Sequence, residues 1–350
     1  MRKNLFNFTL LLTLVVILCS GLPAWGIDYK ITKVVEIGPA AEGFMSWPLR
    51  WSPDGKWLAY FRSDTLMLSD TLGNSHAVKA MNLFPSRFEW LSNEEIVGYF
   101  DEGYNIDSSR QLLMQIDVTT GADTIIEKYV RYDHRGNAQW FQGPWRTVKG
   151  NVYYDYGERF GPSKTDKSEE RRWVNSRKGK KLTETDKKTD YILHWGKDGL
   201  YKVTIDGLDS TRISPEPYKQ TAGGVELNPS CTHALVGGTI IRMADSAFIV
   251  MDTMLREDNS GSMICGFVAT SFDPVHPEII FQLSCNEKNV DSILSDRIGI
   301  YNYSTGKFII LNPIEGAGHC IDPVCSPKGN QISLLADRKA FIIYINRGKP

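Results

Sequence analysis

The stretch Trp51-Ser52-Pro53-Asp54-Gly55-Lys56-Trp57-Leu58-Ala59-Tyr60-Phe61 decides the fold. Pro53 pre-sets φ for a turn and Gly55 tolerates a positive φ, so the chain reverses there. Residues 56–61 then read as a strand of aromatic and apolar side chains, entered from the end of a preceding strand. The same pattern returns near the C-terminus as Cys325-Ser326-Pro327-Lys328-Gly329-Asn330-Gln331-Ile332-Ser333-Leu334-Leu335.

Weaker copies lie between these two. Phe88-Glu89-Trp90-Leu91 is followed by Ser92-Asn93-Glu94-Glu95 in place of the Pro-Asp-Gly turn, and then by another apolar strand. Val225-Glu226-Leu227-Asn228-Pro229 and Ala269-Thr270-Ser271-Phe272-Asp273-Pro274 open two more units, and Ala138 to Pro144 opens the least regular one. The turn landmarks fall at residues 53, 92, 144, 229, 274 and 327, with gaps of 39, 52, 85, 45 and 53. Blades of four strands recur every ~40–50 residues, so the spacing predicts six units, the long gap holding an insertion. A β-sandwich would not need the same unit six times. Residues 29–37 alternate imperfectly between apolar and polar and stand apart from the first unit. The sixth unit shows only three strands before Arg347, so this N-terminal stretch is expected to pair with it and close the ring.

The insertion, residues 158–189, has 32 residues with 11 Lys or Arg and 6 Asp or Glu. It is too poor in apolar residues to build a core, and it reads as a mobile basic loop outside the ring, either a flap for an anionic ligand or a solvated surface segment.

The first residues read as a targeting segment. Arg2 and Lys3 precede the apolar run 10–18, and Ala24-Trp25-Gly26 offers small residues for cleavage after Gly26. The domain division expected is a leader over 1–26 and one β-domain over 27–350. The alternatives are an uncleaved anchor, for which the run is short, and a lipoprotein using Cys19, which bulky Leu18 disfavours. No other segment is long enough to span a bilayer as a helix. The formal charge of −1 offers no electrostatic case for nucleic acid. Export places the remaining cysteines, Cys231, Cys265, Cys285, Cys320 and Cys325, in an oxidising compartment. Their odd number leaves one unpaired, a Cys320–Cys325 bridge needs a turn at Pro323, and no spacing suits zinc.

The repeated turn and its flanking strands resemble those of TolB-like β-propellers, a family that includes the propeller domains of prolyl-oligopeptidase-type enzymes and is related to WD40-like repeats. The resemblance is strongest over 51–61 and 325–335 and weakest in the third unit. It implies an all-β, six-bladed propeller closed by an N-terminal strand. TolB itself carries an additional N-terminal α/β domain, whereas few residues stand between the leader and the first unit here, so TolB's own role in an envelope complex is not expected to transfer. No Gly-x-Ser-x-Gly elbow and no His-Glu-x-x-His helix is present, so hydrolase chemistry of those kinds has no residues to carry it. Some TolB-like propellers are metal-dependent polysaccharide lyases. The six histidines, at 76, 134, 194, 233, 276 and 319, are scattered among turns, so no metal site and no cofactor is expected.

Function is therefore expected to be binding or scaffolding by an exported, periplasmic or secreted monomer, with an envelope protein or polar ligand as partner. The alternative is a carbohydrate-active lyase or hydrolase. Trp51, Trp90, Leu227 and Phe272 hold one position in four innermost strands, where aromatics wedge between sheets. Side chains alternate along a strand, so the residues before them, Arg50, Glu89, Glu226 and Ser271, face the other environment. With His319 before the last inner strand, they form the expected binding set at a wet channel mouth. The competing expectation is that these charges pair with each other and hold blades in place.

Overall fold

A computed structural model of the chain describes residues 29–40, 49–81, 84–102, 110–130, 138–146, 152–159, 167–174, 191–196, 199–204, 208–213, 225–228, 230, 232–236, 239–242, 244–245, 247–250, 263–287 and 293–348. The leader expected over 1–26 and Cys231 lie outside these residues.

Strand β1 (Tyr29–Pro39) comes first. Sheet one is β2 (Arg50–Trp51), β3 (Trp57–Arg62), β4 (Thr65–Asp70) and β5 (Ser75–Ala80). Sheet two is β6 (Phe84–Trp90), β7 (Glu95–Glu102), β8 (Arg110–Asp117) and β9 (Asp123–Val130). Sheet three is β10 (Ala138–Arg146), β11 (Val152–Arg159) and β12 (Lys167–Val174), and sheet four is β13 (Tyr191–Gly196), β14 (Gly199–Thr204) and β15 (Ser210–Arg212). Sheet five is β16 (Val225–Leu227), β17 (His233–Val236), β18 (Thr239–Arg242) and β19 (Ala247–Val250). Sheet six is β20 (Met263–Phe272), β21 (Glu278–Glu287), β22 (Ile293–Asn302) and β23 (Lys307–Leu311). Sheet seven is β24 (Cys320–Cys325), β25 (Gln331–Ala336) and β26 (Lys339–Arg347), with β1 as its fourth strand.

Each sheet is an antiparallel meander, and two kinds of turn make it so. In the inner turn, the residue after the first strand bonds the first residue of the second. Ser52 N donates to Trp57 O at 2.8 Å, Asn228 N to His233 O at 3.0 Å, Asp273 N to Glu278 O at 2.9 Å and Ser326 N to Gln331 O at 2.8 Å. Gly55 and Gly329 complete two of these turns at φ 67° and 70°, a region that favours glycine. In the outer turn, the last residue of the third strand accepts backbone N–H groups through its side chain. Asp70 Oδ1 takes Leu72 N and Asn74 N, Asp117 Oδ1 takes Thr119 N and Thr120 N, and Asn302 Oδ1 takes Ser304 N and Thr305 N, all at 2.8–3.1 Å. Strand β26 makes no such turn. Tyr344 stands opposite Gln331 where Asp70 stands opposite Trp57, and the strand runs on to Arg347.

The fourth strand of sheet seven arrives from the other end of the chain. Strand β1 lies antiparallel to β26 from Tyr29 opposite Arg347 to Pro39 opposite Lys339. Its Val35 and Ile37 are buried with Leu49, Trp51, Leu58, Tyr60 and Met67 of the first unit and with Leu335, Ala340 and Ile342. Burying two such side chains is worth about 1.5–3 kcal/mol each. The core between sheets one and two holds Phe61, Leu66, Phe88, Trp90, Ile96 and Phe100. Similar cores lie between sheets five and six and between six and seven. First strands of neighbouring sheets touch: β2 with β6, β6 with β10, β16 with β20, β20 with β24, and β24 with β2. Among the described residues, antiparallel meanders of three or four strands that touch through these first strands, with the last sheet against the first, have the arrangement of β-propeller blades.

Among the described residues no helix occurs, and the sheets number seven where six units are expected. The difference lies in the third unit, whose expected strands over 138–205 divide between sheets three and four. Part of the charged segment 158–189 is strand: Lys167–Val174 pairs along its length with Val152–Arg159. Backbone pairing asks nothing of side-chain polarity at an outer strand, so a Lys- and Glu-rich sequence can still be sheet there. Cys320 and Cys325 are both buried free thiols, because they start and finish one extended strand.

Candidate functional site

The row of residues expected at the inner edge is divided by the structure. Arg50 of β2 and Glu89 of β6 meet: Arg50 Nε lies 2.9 Å from Glu89 Oε1, with the two side chains 23% and 13% exposed. Arg50 Nη1 also donates to Leu49 O at 3.1 Å. The bond joins the first strands of sheets one and two. The wedges beside it repeat one device. Trp90 Nε1 donates to Arg50 O at 2.9 Å, and Trp51 Nε1 donates to Val324 O, at the corresponding position of sheet seven, at 3.2 Å. Each indole thus fills the gap to the preceding sheet and satisfies a backbone carbonyl on its first strand.

Ser271 does not face an open channel. It is buried; its hydroxyl donates to Pro323 O and accepts from Cys325 N, both at 3.3 Å, and so ties sheet six to sheet seven. The ladder is regular from Thr270 to Phe272, so Ser271 does alternate with Phe272, but the face it takes is covered by the first strand of sheet seven. Glu226 is placed by its backbone in β16, opposite Leu235. His319 is exposed, one residue before β24.

A second cluster was not foreseen. Asp273 and Glu278 flank the inner turn of sheet six, with side chains 0% and 1% exposed. Positions equivalent to Asp273 hold Ser52, Asn228 and Ser326, and those equivalent to Glu278 hold Trp57, His233 and Gln331. Only this turn of the four carries two buried carboxylates, and buried charge demands a partner. Arg347 supplies it. Its Nε lies 2.9 Å from Glu278 Oε2, its Nη2 pairs with Asp273 Oδ2, and its Nη1 donates to Gly329 O. Tyr29 donates to Glu278 Oε1 at 2.6 Å, and the Cys325 thiol donates to Asp273 Oδ2 at 3.4 Å. Asp273 Oδ1 accepts from Val275 N at 2.8 Å and His276 N at 2.9 Å, and lies 3.2 Å from His276 Nδ1.

Electrostatics follow from this packing. Burial would lower the Arg347 pKa, but Asp273 and Glu278 hold it above its ordinary value. Burial and the hydrogen bond to Glu278 push the Tyr29 phenol well up, and burial with neighbouring Asp273 pushes the Cys325 thiol well up. Both therefore stay protonated donors at neutral pH. Ligand atoms of Asp273, His276 and Glu278 lie within 4.8 Å of one another, a spacing suited to a cation. The guanidinium of Arg347 already fills that role, and all four carboxylate oxygens are engaged. The signal legible in the sequence was Asp273-Pro274-Val275-His276-Pro277-Glu278, where acidic residues replace the Ser and Gln of the sister turn at 326–331, together with an arginine at the end of the last strand.

Neither a protein-family model nor a curated protein matches the chain. Among solved structures it is similar to a chain of the mitotic checkpoint complex, at 11% identity over 93% of this chain and 96% of that one, with a TM-score of 0.48. It is also similar to a protein assigned as TolB from Agrobacterium tumefaciens, at 12% identity over 93% of this chain and 100% of that one, with a TM-score of 0.42. A third is an oligogalacturonate lyase in complex with manganese, at 11% identity over 85% of this chain and 76% of that one, with a TM-score of 0.38. These likenesses concern the path of the chain and assign neither substrate nor partner. The sheets, their order and the contact of the last with the first define an all-β chain with the arrangement of a β-propeller.

Proposed function

We propose that this chain is an exported, non-catalytic β-propeller that binds a polar ligand or an envelope protein at the inner edge of its first strands. The observation that supports the reading is the Arg50–Glu89 pair, which bridges two first strands while both side chains keep contact with water. A paired, part-exposed charge at the mouth of a ring can exchange its partner for a ligand's polar group at modest desolvation cost. Glu226 holds the corresponding backbone position on sheet five and completes the set together with exposed His319. The most concentrated acid–base group among the described residues, around Asp273 and Glu278, is committed to Arg347 and Tyr29. Export rests on the leader sequence over 1–26.

The test is affinity capture from the envelope of the exporting cell, run beside calorimetry against a panel of neutral and acidic polysaccharides. Arg50→Ala and Glu226→Ala are expected to abolish the binding found, with melting temperatures close to that of the parent. Unchanged affinity with lowered stability would show that these residues only hold blades. Release of unsaturated sugar products from the acidic polymers would instead establish a lyase.

A further inference from the structure

We propose that the inner turn of sheet six is a guanidinium-binding pocket, which the chain fills with its own Arg347 so that ring closure works as a latch. Four observations converge. The pocket carries two carboxylates with side chains 0% and 1% exposed, where the sister turn at 326–331 has serine and glutamine. Its third wall is a backbone carbonyl, Gly329 O, supplied by sheet seven. Those acceptors match the Nε, Nη1 and Nη2 donors of one planar fork, which an ammonium cannot reproduce. The fork belongs to the last residue of β26, directly opposite Tyr29 at the start of β1, and Tyr29 takes the remaining oxygen of Glu278.

The latch follows from topology. In sheets one, two and six a covalent turn carries the third strand into the fourth, anchored by Asp70, Asp117 or Asn302. Sheet seven has no such link, since β26 and β1 come from opposite ends of the chain. At the Tyr29 end of the closing pair, the polar attachment of both strands to sheet six passes through Glu278 and Asp273, beside the apolar packing of Tyr29, Ile31 and Ile345 on the core shared with that sheet. Close approach of the two sheets is part of the device: a Cβ on Gly329 would lie 2.9 Å from Asp273 Oδ1 and 3.0 Å from His276 Nδ1. Removing the guanidinium leaves two buried carboxylates unneutralised, and the least costly relief is to let water in by releasing the β1–β26 end.

The experiment is hydrogen exchange read by mass spectrometry on the full mature chain, parent against Arg347→Ala. Exchange is expected to quicken by about tenfold or more in residues 29–37 and 339–347, while 58–68 and 279–283 stay protected. Millimolar guanidinium chloride should restore protection in the variant, and sodium or methylammonium chloride at equal concentration should not. Uniform loss of protection, or no effect specific to guanidinium, overturns the proposal. Should Arg347→Ala fail to fold, Arg347→Lys carries the test. An ammonium lacks the planar fork that meets both carboxylates and Gly329 O at once, so β1 must still exchange faster than in the parent; parent-like protection would refute the pocket.

Discussion

Tyr29 and Arg347 stand directly opposite each other across the β1–β26 pair, and both close on the same carboxylate, Glu278, at 2.6 Å and 2.9 Å. The first and last strands of the fold are thereby joined twice, by their own ladder and by a residue of the neighbouring sheet. Replacing Tyr29 with Phe keeps the ring and removes one donor to a charged acceptor. A hydrogen bond of that kind is worth about 1.5–3 kcal/mol, so the urea midpoint should fall accordingly with an unchanged m-value.

The indole wedges give a second expectation. Trp90→Phe and Trp51→Phe each lose a bond to a carbonyl of the adjacent sheet, to Arg50 O and Val324 O. Each should cost about 1 kcal/mol from the hydrogen bond, beyond any loss of packing. The Ala variants should cost about 3–5 kcal/mol, because buried space next to the first strands cannot refill. Equilibrium unfolding of the four variants separates the two contributions.

Gly299 of β22 lies under the ring of Phe281, where a Cβ would overlap the ring and sit 2.9 Å from Ile309 O. Gly299→Ala is therefore expected to destabilise by at least the ~1–3 kcal/mol of a typical overpacking substitution. Combining it with Phe281→Leu should recover part of that loss in a double-mutant cycle.

Turn carboxylates set the acid limit. Burial pushes Asp54 and Asp70 up, but hydrogen bonds from Ser52 and Lys56 in one case, and from Asn74, Leu72 and Gly73 in the other, hold both below the usual carboxylate range. Thr119 and Thr120 do the same for Asp117. A depressed folded pKa contributes stability that is present above the unfolded value, near ~4, and is lost as pH falls through the folded one. Melting temperature should thus decline below about pH 4, and Asp54→Asn with Asp70→Asn should flatten that decline while lowering the plateau above it.

Much of the architecture was legible in residues 51–61 and 325–335, because Pro and Gly at fixed offsets from an apolar strand specify backbone angles directly. The closing strand was legible too: a last unit of three strands requires a fourth, and residues 29–37 were the spare candidate. The division of 138–205 into two sheets was not, since Lys167–Val174 carries charge where a strand signal expects apolar alternation. Among the candidate site residues, the adjacency of Arg50 and Glu89 followed from their equal positions in consecutive units, and it took the form of a salt bridge. Ser271 is buried because Pro323 and Cys325 of sheet seven cover its face of β20, and only the packing of the two sheets brings those partners to it. The Asp273–Glu278–Arg347 cluster escaped because Arg347 is 69 residues from Glu278 and 74 from Asp273, and only the fold brings it to them.

The most direct test of the account is the thermal unfolding of a mature chain lacking residues 27–37. Loss of β1 strips Val35 and Ile37 from the core between the last and first sheets, exposes the edge of β26 and removes Tyr29 from Glu278. A melting temperature lower by about 10 °C or more is expected, taking several kcal/mol at a few degrees each. A truncated chain that melts with the full one would contradict closure of the ring by its two ends.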